Sequence, residues 1–244
     1  RHWSDDEMQR SLAVLAERTG VQPSAIVRFA KSFGFDGASQ MQRLFRDGLI
    51  SGSTTLGYSE RVREFTRSVD GTAVGDPAQV LAEFIEGNIL SLRNLGQVID
   101  AAAMQAAVKL IVAADTVYVA GFRRSFPVAA YLAYSLHQAD KKTVLIDGIG
   151  GLMRQQVHAI SRRDLLIAVS YQPYAEETVH MVEAAVAHQC PILAISDSLV
   201  SAVAKPANQV LQVREAEIRK FRSLSSSMCL AQALAIAYAF AASR

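Results

Sequence analysis

Four short segments of this 244-residue chain bring together the residue types that hold an anion. They are Gly121-Phe122-Arg123-Arg124-Ser125, Ser170-Tyr171-Gln172-Pro173-Tyr174, Ser196-Asp197-Ser198 and the serine-rich Phe221-Arg222-Ser223-Leu224-Ser225-Ser226-Ser227. Where such loops run into helices, unpaired backbone N–H groups and hydroxyls bind phosphate or carboxylate, and arginine supplies the countercharge. Ser125 either caps the following helix or meets a ligand, and the two roles are compatible. Arg123 and Arg124 are either anion ligands or solvated loop charges, and at least one is expected to be a ligand. Tyr171 and Tyr174 either line a pocket or pack on a neighbouring helix. Ser223 either contacts ligand or caps the last helix.

Proton-transfer chemistry needs a carboxylate or imidazole with a defined task, and the candidates are Glu176, Glu177, His158, His180, Glu215 and Glu217. None lies in a motif that fixes its role, and on amphipathic helices such residues ordinarily face solvent. No catalytic residue is assigned. The sequence holds no nucleophile–base pairing and no Gly-x-Gly-x-x-Gly, so no cofactor is expected. Cys190 and Cys229 are far apart without His or Cys at metal spacing, so they read as packed thiols, with no metal and no disulfide.

The loops need a scaffold, and composition allows one: 50% hydrophobic, 20% charged, net charge +2. This excludes a disordered tail and a disulfide-stapled miniprotein. Five apolar runs of strand length follow one another: Thr116 to Ala120, Thr143 to Ile146, Leu165 to Val169, Ile192 to Ile195 and Val210 to Val213. Their continuous apolarity means burial on both faces, as in a parallel sheet covered by helices. Helical patterns begin near Phe126, Gly151 and Ala175, and a long one runs from Pro77 to about Ala114, with a break expected at Gly96. The fold class is therefore α/β, a five-stranded parallel αβα domain over 77–244. Met228 to Ala242 is Ala-rich and reads as a buried terminal helix, since no run of about 18 uninterrupted apolar residues is present to span a membrane.

The first fifty residues have a different texture. Leu12, Leu15 and Ala16 form one helical face stopped by Gly20; a second helix runs from Pro23 to Phe33, and a third from about Ala38 to Leu49. Helix, glycine corner, helix is helix-turn-helix spacing. The segment Leu15 to Gly37, LAERTGVQPSAIVRFAKSFGFDG, closely resembles the DNA-binding module of the RpiR family of bacterial transcriptional regulators. That resemblance implies a module over 1–50, a linker over 51–76 and double-stranded DNA as partner. Gln22, Ser24, Ala25 and Arg28 would face bases or phosphates and Lys31 the backbone. Seven cations against six acids in residues 1–50 make phosphate attraction modest. Few residues precede Leu15 where the family has further helices, so a longer natural chain is expected.

The loops from Gly121 onward, with the short Ser201-Ala202-Val203-Ala204 segment, resemble the sugar isomerase (SIS) domain that accompanies this module in RpiR regulators. The resemblance implies Gly121, Ser125, Ser170 and Ser223 as ligand residues, and Arg123, Arg124, Tyr171, Gln172 and Tyr174, which stand in the same loops, complete the expected ligand set. Two departures matter. Arg123 replaces the second glycine of Gly-x-Gly-x-Ser, and Gln172, Pro173 and Ala175 stand where phosphosugar-binding domains carry Ser, Gly and Thr. The expected ligand is a small anionic metabolite, a sugar phosphate or sugar acid. A regulator built this way is expected to be a homodimer or homotetramer in the cytoplasm, off the membrane, since no signal peptide is recognised. The alternatives are an SIS-domain sugar-phosphate isomerase and a structural partner without ligand.

Overall fold

The computed structural model describes residues 22–32, 37, 58–68 and 75–243. The chain divides into two compact units, 1–55 and 56–244. In the first, α1 spans Pro23–Ser32, with Pro23 at the start where its missing N–H costs nothing. The helices expected around Leu15 and over Ala38 to Leu49 lie outside the described residues.

In the second unit α2 (Tyr58–Ser68) lies within the stretch read as linker. α3 (Pro77–Val98) and α4 (Ala101–Ala113) follow, each opened by an aspartate. Asp76 accepts from the Ala78 N–H at 3.0 Å, and Asp100 from the Ala103 N–H at 2.7 Å. The expected break at Gly96 is corrected: α3 passes through Gly96, and the chain bends by 83° at Ile99 and Asp100. A side-chain cap that satisfies a free N–H ends and restarts a helix more decisively than a lone glycine, whose cost is only about 1 kcal/mol.

All five expected strands form: β1 (Val117–Ala120), β2 (Thr143–Ile146), β3 (Leu165–Ser170), β4 (Ile192–Ser196) and β5 (Gln209–Gln212). They pair in parallel in the order β2-β1-β3-β4-β5. Alternate residues feed two cores. Val117, Val119, Leu165, Ile167 and Val169 pack with α4, α5 (Phe126–Gln138) and α8 (Ser225–Ala242). Tyr118, Ala120, Leu166 and Ala168 pack with Met181, Val182 and Ala185 of α7 (Glu176–Ala187) and with Val157 of α6 (Met153–His158). α8 is the terminal helix read from the sequence, with Leu230, Ala231, Leu234 and Ala235 buried.

One element is absent from the sequence reading. Glu217–Ile218 (β6) and Phe221–Arg222 (β7) form an antiparallel hairpin. Its turn residues Arg219 and Lys220 are both left-handed, at φ 51° and 65°. That is the type I′ geometry ordinarily signalled by Asn-Gly. The strain is offset by a fork in which Arg219 Nε and Nη2 donate to Glu83 Oε2 and Oε1 at 2.6 and 2.8 Å. Arg219 also stacks over Phe65 of α2, and Arg61 of α2 stacks over Phe221.

Candidate functional site

In an open parallel sheet the crevice forms beyond the carboxyl ends of neighbouring strands whose connections leave in opposite directions. Here those strands are β1, which connects outward to β2, and β3, which connects to β4 on the other side. The loops Gly121 to Ser125 and Ser170 to Tyr174 therefore share one crevice.

Gly121 is required for packing. A Cβ there would stand 2.9 Å from Ala129 Cβ, 3.1 Å from the Ser125 carbonyl and 3.3 Å from Val169 Cβ. Its absence lets α5 approach the end of β1 closely, which brings Ser125 down to the sheet. Ser125 is buried, and its hydroxyl makes no capping bond. Ser170 is buried at the end of β3, and no hydrogen bond of its hydroxyl occurs among the described residues.

The two arginines diverge. Arg123, which stands where the family pattern has glycine, is left-handed, at φ 56°. Its side chain is 61% exposed and pairs with Glu177 at 3.4 Å. Arg124 is half-buried, and among the described residues it makes neither ion pair nor hydrogen bond. Desolvation, followed by repulsion from Arg222, lowers its pKa, while Tyr171 and Glu215 act the other way. Arg124 thus faces the crevice, and Arg123 faces α7.

Asp197, in the third loop, organises the second. Its carboxylate accepts from the Gln172 N–H and the Tyr174 hydroxyl, both at 3.0 Å, and pairs with Arg222 at 3.5 Å. Arg222 also donates to the Gln172 carbonyl at 2.9 Å and pairs with Glu217 at 3.5 Å. Burial, reinforced by the Asp197 charge, pushes the Tyr174 phenol up to about 12. Tyr171 is buried with its hydroxyl on Ser227 Oγ, and burial drives its pKa upward too. Both tyrosines therefore serve as wall.

At the fourth segment Ser223 Oγ accepts from the Ser225 N–H at 3.1 Å and donates to Ser225 Oγ at 3.0 Å. These bonds form a local serine turn just before α8, whose N-cap residue Leu224 makes no side-chain capping bond. The opening turn of α8 is filled by Glu215, whose two oxygens accept from the Ser227 and Ser226 N–H groups at 2.7 and 3.1 Å. Ser226 and Ser91 hydroxyls bond each other at 2.6 Å, tying α8 to α3.

Of the residues expected at the site, Gly121, Arg124, Ser125, Ser170, Tyr171, Gln172 and Tyr174 converge on the crevice and its wall, while Arg123 and Ser223 are committed to partners. Asp197 and Arg222 were not singled out from the sequence as site residues. Their signal lay in their positions, Asp197 directly after β4 and Arg222 directly before Ser223. Among the described residues no three His, Cys, Asp or Glu side chains are grouped to hold a metal.

A family model described as the SIS domain matches residues 110–237. The sugar isomerase domain of an RpiR transcription factor from Sphaerobacter thermophilus is similar at 26% identity and TM-score 0.64, over 67% of this chain and 91% of that one. The Vibrio vulnificus NanR protein complexed with ManNAc-6P is similar at 20% identity and TM-score 0.61, over 94% and 79%. A Methanococcus jannaschii protein with an inferred 3-hexulose-6-phosphate isomerase function is similar at 16% identity and TM-score 0.50, over 66% and 87%. The last two show a shared fold. No curated protein matches the sequence significantly. The family match takes in more than half of the chain and every loop of the crevice, and the chain belongs to the SIS domain family.

Proposed function

We propose that this protein is a DNA-binding transcriptional regulator of the RpiR type, in which the SIS domain senses a small sugar-derived anion and sets the affinity of the N-terminal module for its operator. The observation that carries this reading is the crevice between β1 and β3, where Arg124 has no partner among the described residues and the Ser125 and Ser170 hydroxyls are uncommitted. The likeness to the RpiR domain from Sphaerobacter thermophilus and the Leu15 to Gly37 segment support the regulator. In α1 Ser24, Arg28 and Lys31 are exposed, as a groove-reading helix requires.

An isomerase reading has less support, because Glu215, the carboxylate acting on Arg124, has both oxygens engaged by backbone N–H groups. Apolar side chains exposed along α3 and α8, among them Leu81, Leu90, Ile236 and Phe240, support association as a homodimer or higher oligomer.

The test is to enrich duplexes from a random pool with the full chain and measure their affinity with and without sugar acids and sugar phosphates. Arg28→Ala is expected to weaken the enriched duplex by about 1–3 kcal/mol. Failure to enrich any duplex, or isomerisation of a sugar phosphate by the purified protein, overturns the reading.

A further inference from the structure

The charges around the crevice are nearly all committed inside the chain. Arg123 pairs with Glu177, and Arg222 with Asp197 and Glu217. Glu215 closes the start of α8. At the end of β3 two backbone donors that a phosphoryl group could use are taken or missing: the Gln172 N–H points at Asp197 Oδ2 at 3.0 Å, and Pro173 has none. The first turn of α7 carries Glu176 and Glu177 and has no side-chain cap from Ala175. Four arginines, Arg61, Arg123, Arg124 and Arg222, thus stand among five carboxylates, and Arg124 makes neither ion pair nor hydrogen bond among the described residues.

A phosphate ester at neutral pH brings close to two negative charges and needs several donors. This crevice offers one guanidinium without ion pair or hydrogen bond among the described residues, and the Gln172 and Pro173 positions add no free donor to it. A carboxylate brings one charge and two coplanar oxygens, the geometry that a guanidinium fork matches. We propose that the site takes a carboxylate-bearing polyol, of the aldonic or uronic acid class, with the carboxylate on Arg124 and neighbouring hydroxyls on Ser125 and Ser170, and that it rejects the phosphate ester of the same sugar. This rests on the ligand-sensing reading above and narrows it.

The experiment is calorimetry on the full chain with matched sets of four- to six-carbon probes, each set an aldonic or uronic acid, the sugar phosphate and the neutral sugar. An acid is expected to bind best, by roughly tenfold or more over its phosphate partner, a gap of ~1.4 kcal/mol. Arg124→Gln is expected to abolish that binding without lowering the melting temperature, because the side chain makes no hydrogen bond or ion pair among the described residues. Loss of the fold in that variant would mark Arg124 as structural and overturn the proposal. Asp197→Asn, which removes a negative charge and takes one carboxylate from Arg222, is expected to narrow the gap between acid and phosphate. Tighter binding of a sugar phosphate by the unaltered protein overturns the carboxylate inference and leaves the sensor standing. Binding of neutral sugars alone overturns the inference, and binding of nothing overturns both.

Discussion

Gly121→Ala is the most direct test of how the crevice is built. The new methyl would sit 2.9 Å from Ala129 Cβ and 3.1 Å from the Ser125 carbonyl, against a comfortable carbon–carbon separation of ~3.5–4.0 Å. Either α5 retreats by something under ~1 Å or the contacts stay compressed; overpacking of this kind costs about 1–3 kcal/mol. For a chain of this size that is a fall of roughly 2–12 °C in melting temperature. The cause can be isolated by a cycle with Ala129→Gly. Alone, that change costs about 1 kcal/mol or more through helix propensity and lost burial. In the Gly121→Ala background it removes the shortest contact, so the double variant should be less destabilised than the two single effects added together. Ligand affinity should fall with Gly121→Ala, because Arg124 and Ser125 ride on the displaced turn. An unchanged melting temperature, or strict additivity in the cycle, would refute the packing argument.

Lys141 is buried, with Nζ donating to the Ala114 and Val112 carbonyls at the end of α4 at 2.5 and 3.4 Å, and Lys141→Met should cost about 1.5–3 kcal/mol by chemical denaturation. An unchanged midpoint would show that those carbonyls do not depend on it. Tyr174, held up to about 12, should resist forming phenolate in the folded protein, and Asp197→Asn, which removes the Asp197 charge and leaves the larger effect of burial, should lower that value in part in an absorbance titration. The sign follows from linkage: a folded pKa above the unfolded value stabilises fully below pH ~10, and the gain is lost as pH climbs from ~10 towards the folded value. Arg219→Ala removes the fork to Glu83 and the stack on Phe65, so hydrogen exchange should accelerate in Tyr58–Ser68 while β1, β3 and β4 keep their protection. Uniform acceleration would instead mean global destabilisation.

The strands were legible because each is a short apolar run buried on both faces, a signal that needs no knowledge of neighbours. The crevice loops were legible for a related reason, since β-strand ends in a parallel sheet are marked by glycine, serine and proline. Glycine at 96 was legible and misleading, because its local cost is smaller than the effect of the Asp100 cap beyond it. The β6–β7 hairpin was invisible: two-residue strands carry no periodicity, Arg219-Lys220 is not a turn signal, and Arg219 meets Glu83 and Phe65 only in the folded chain.

Residue types alone pointed to an α/β sheet and to a set of loops suited to an anion, with two arginines among them. Only the tertiary structure decided which arginine faces the crevice. Arg123 and Arg124 are chemically identical neighbours, and a left-handed turn at Arg123 sends one side chain to Glu177 and leaves the other half-buried without a hydrogen-bond or ion-pair partner among the described residues. The same holds for Asp197 and Glu215, whose roles depend on N–H groups distant in sequence or made available only by a helix start. A charge's function is set by what it is desolvated against, and that is a property of packing between segments that no single stretch of sequence contains.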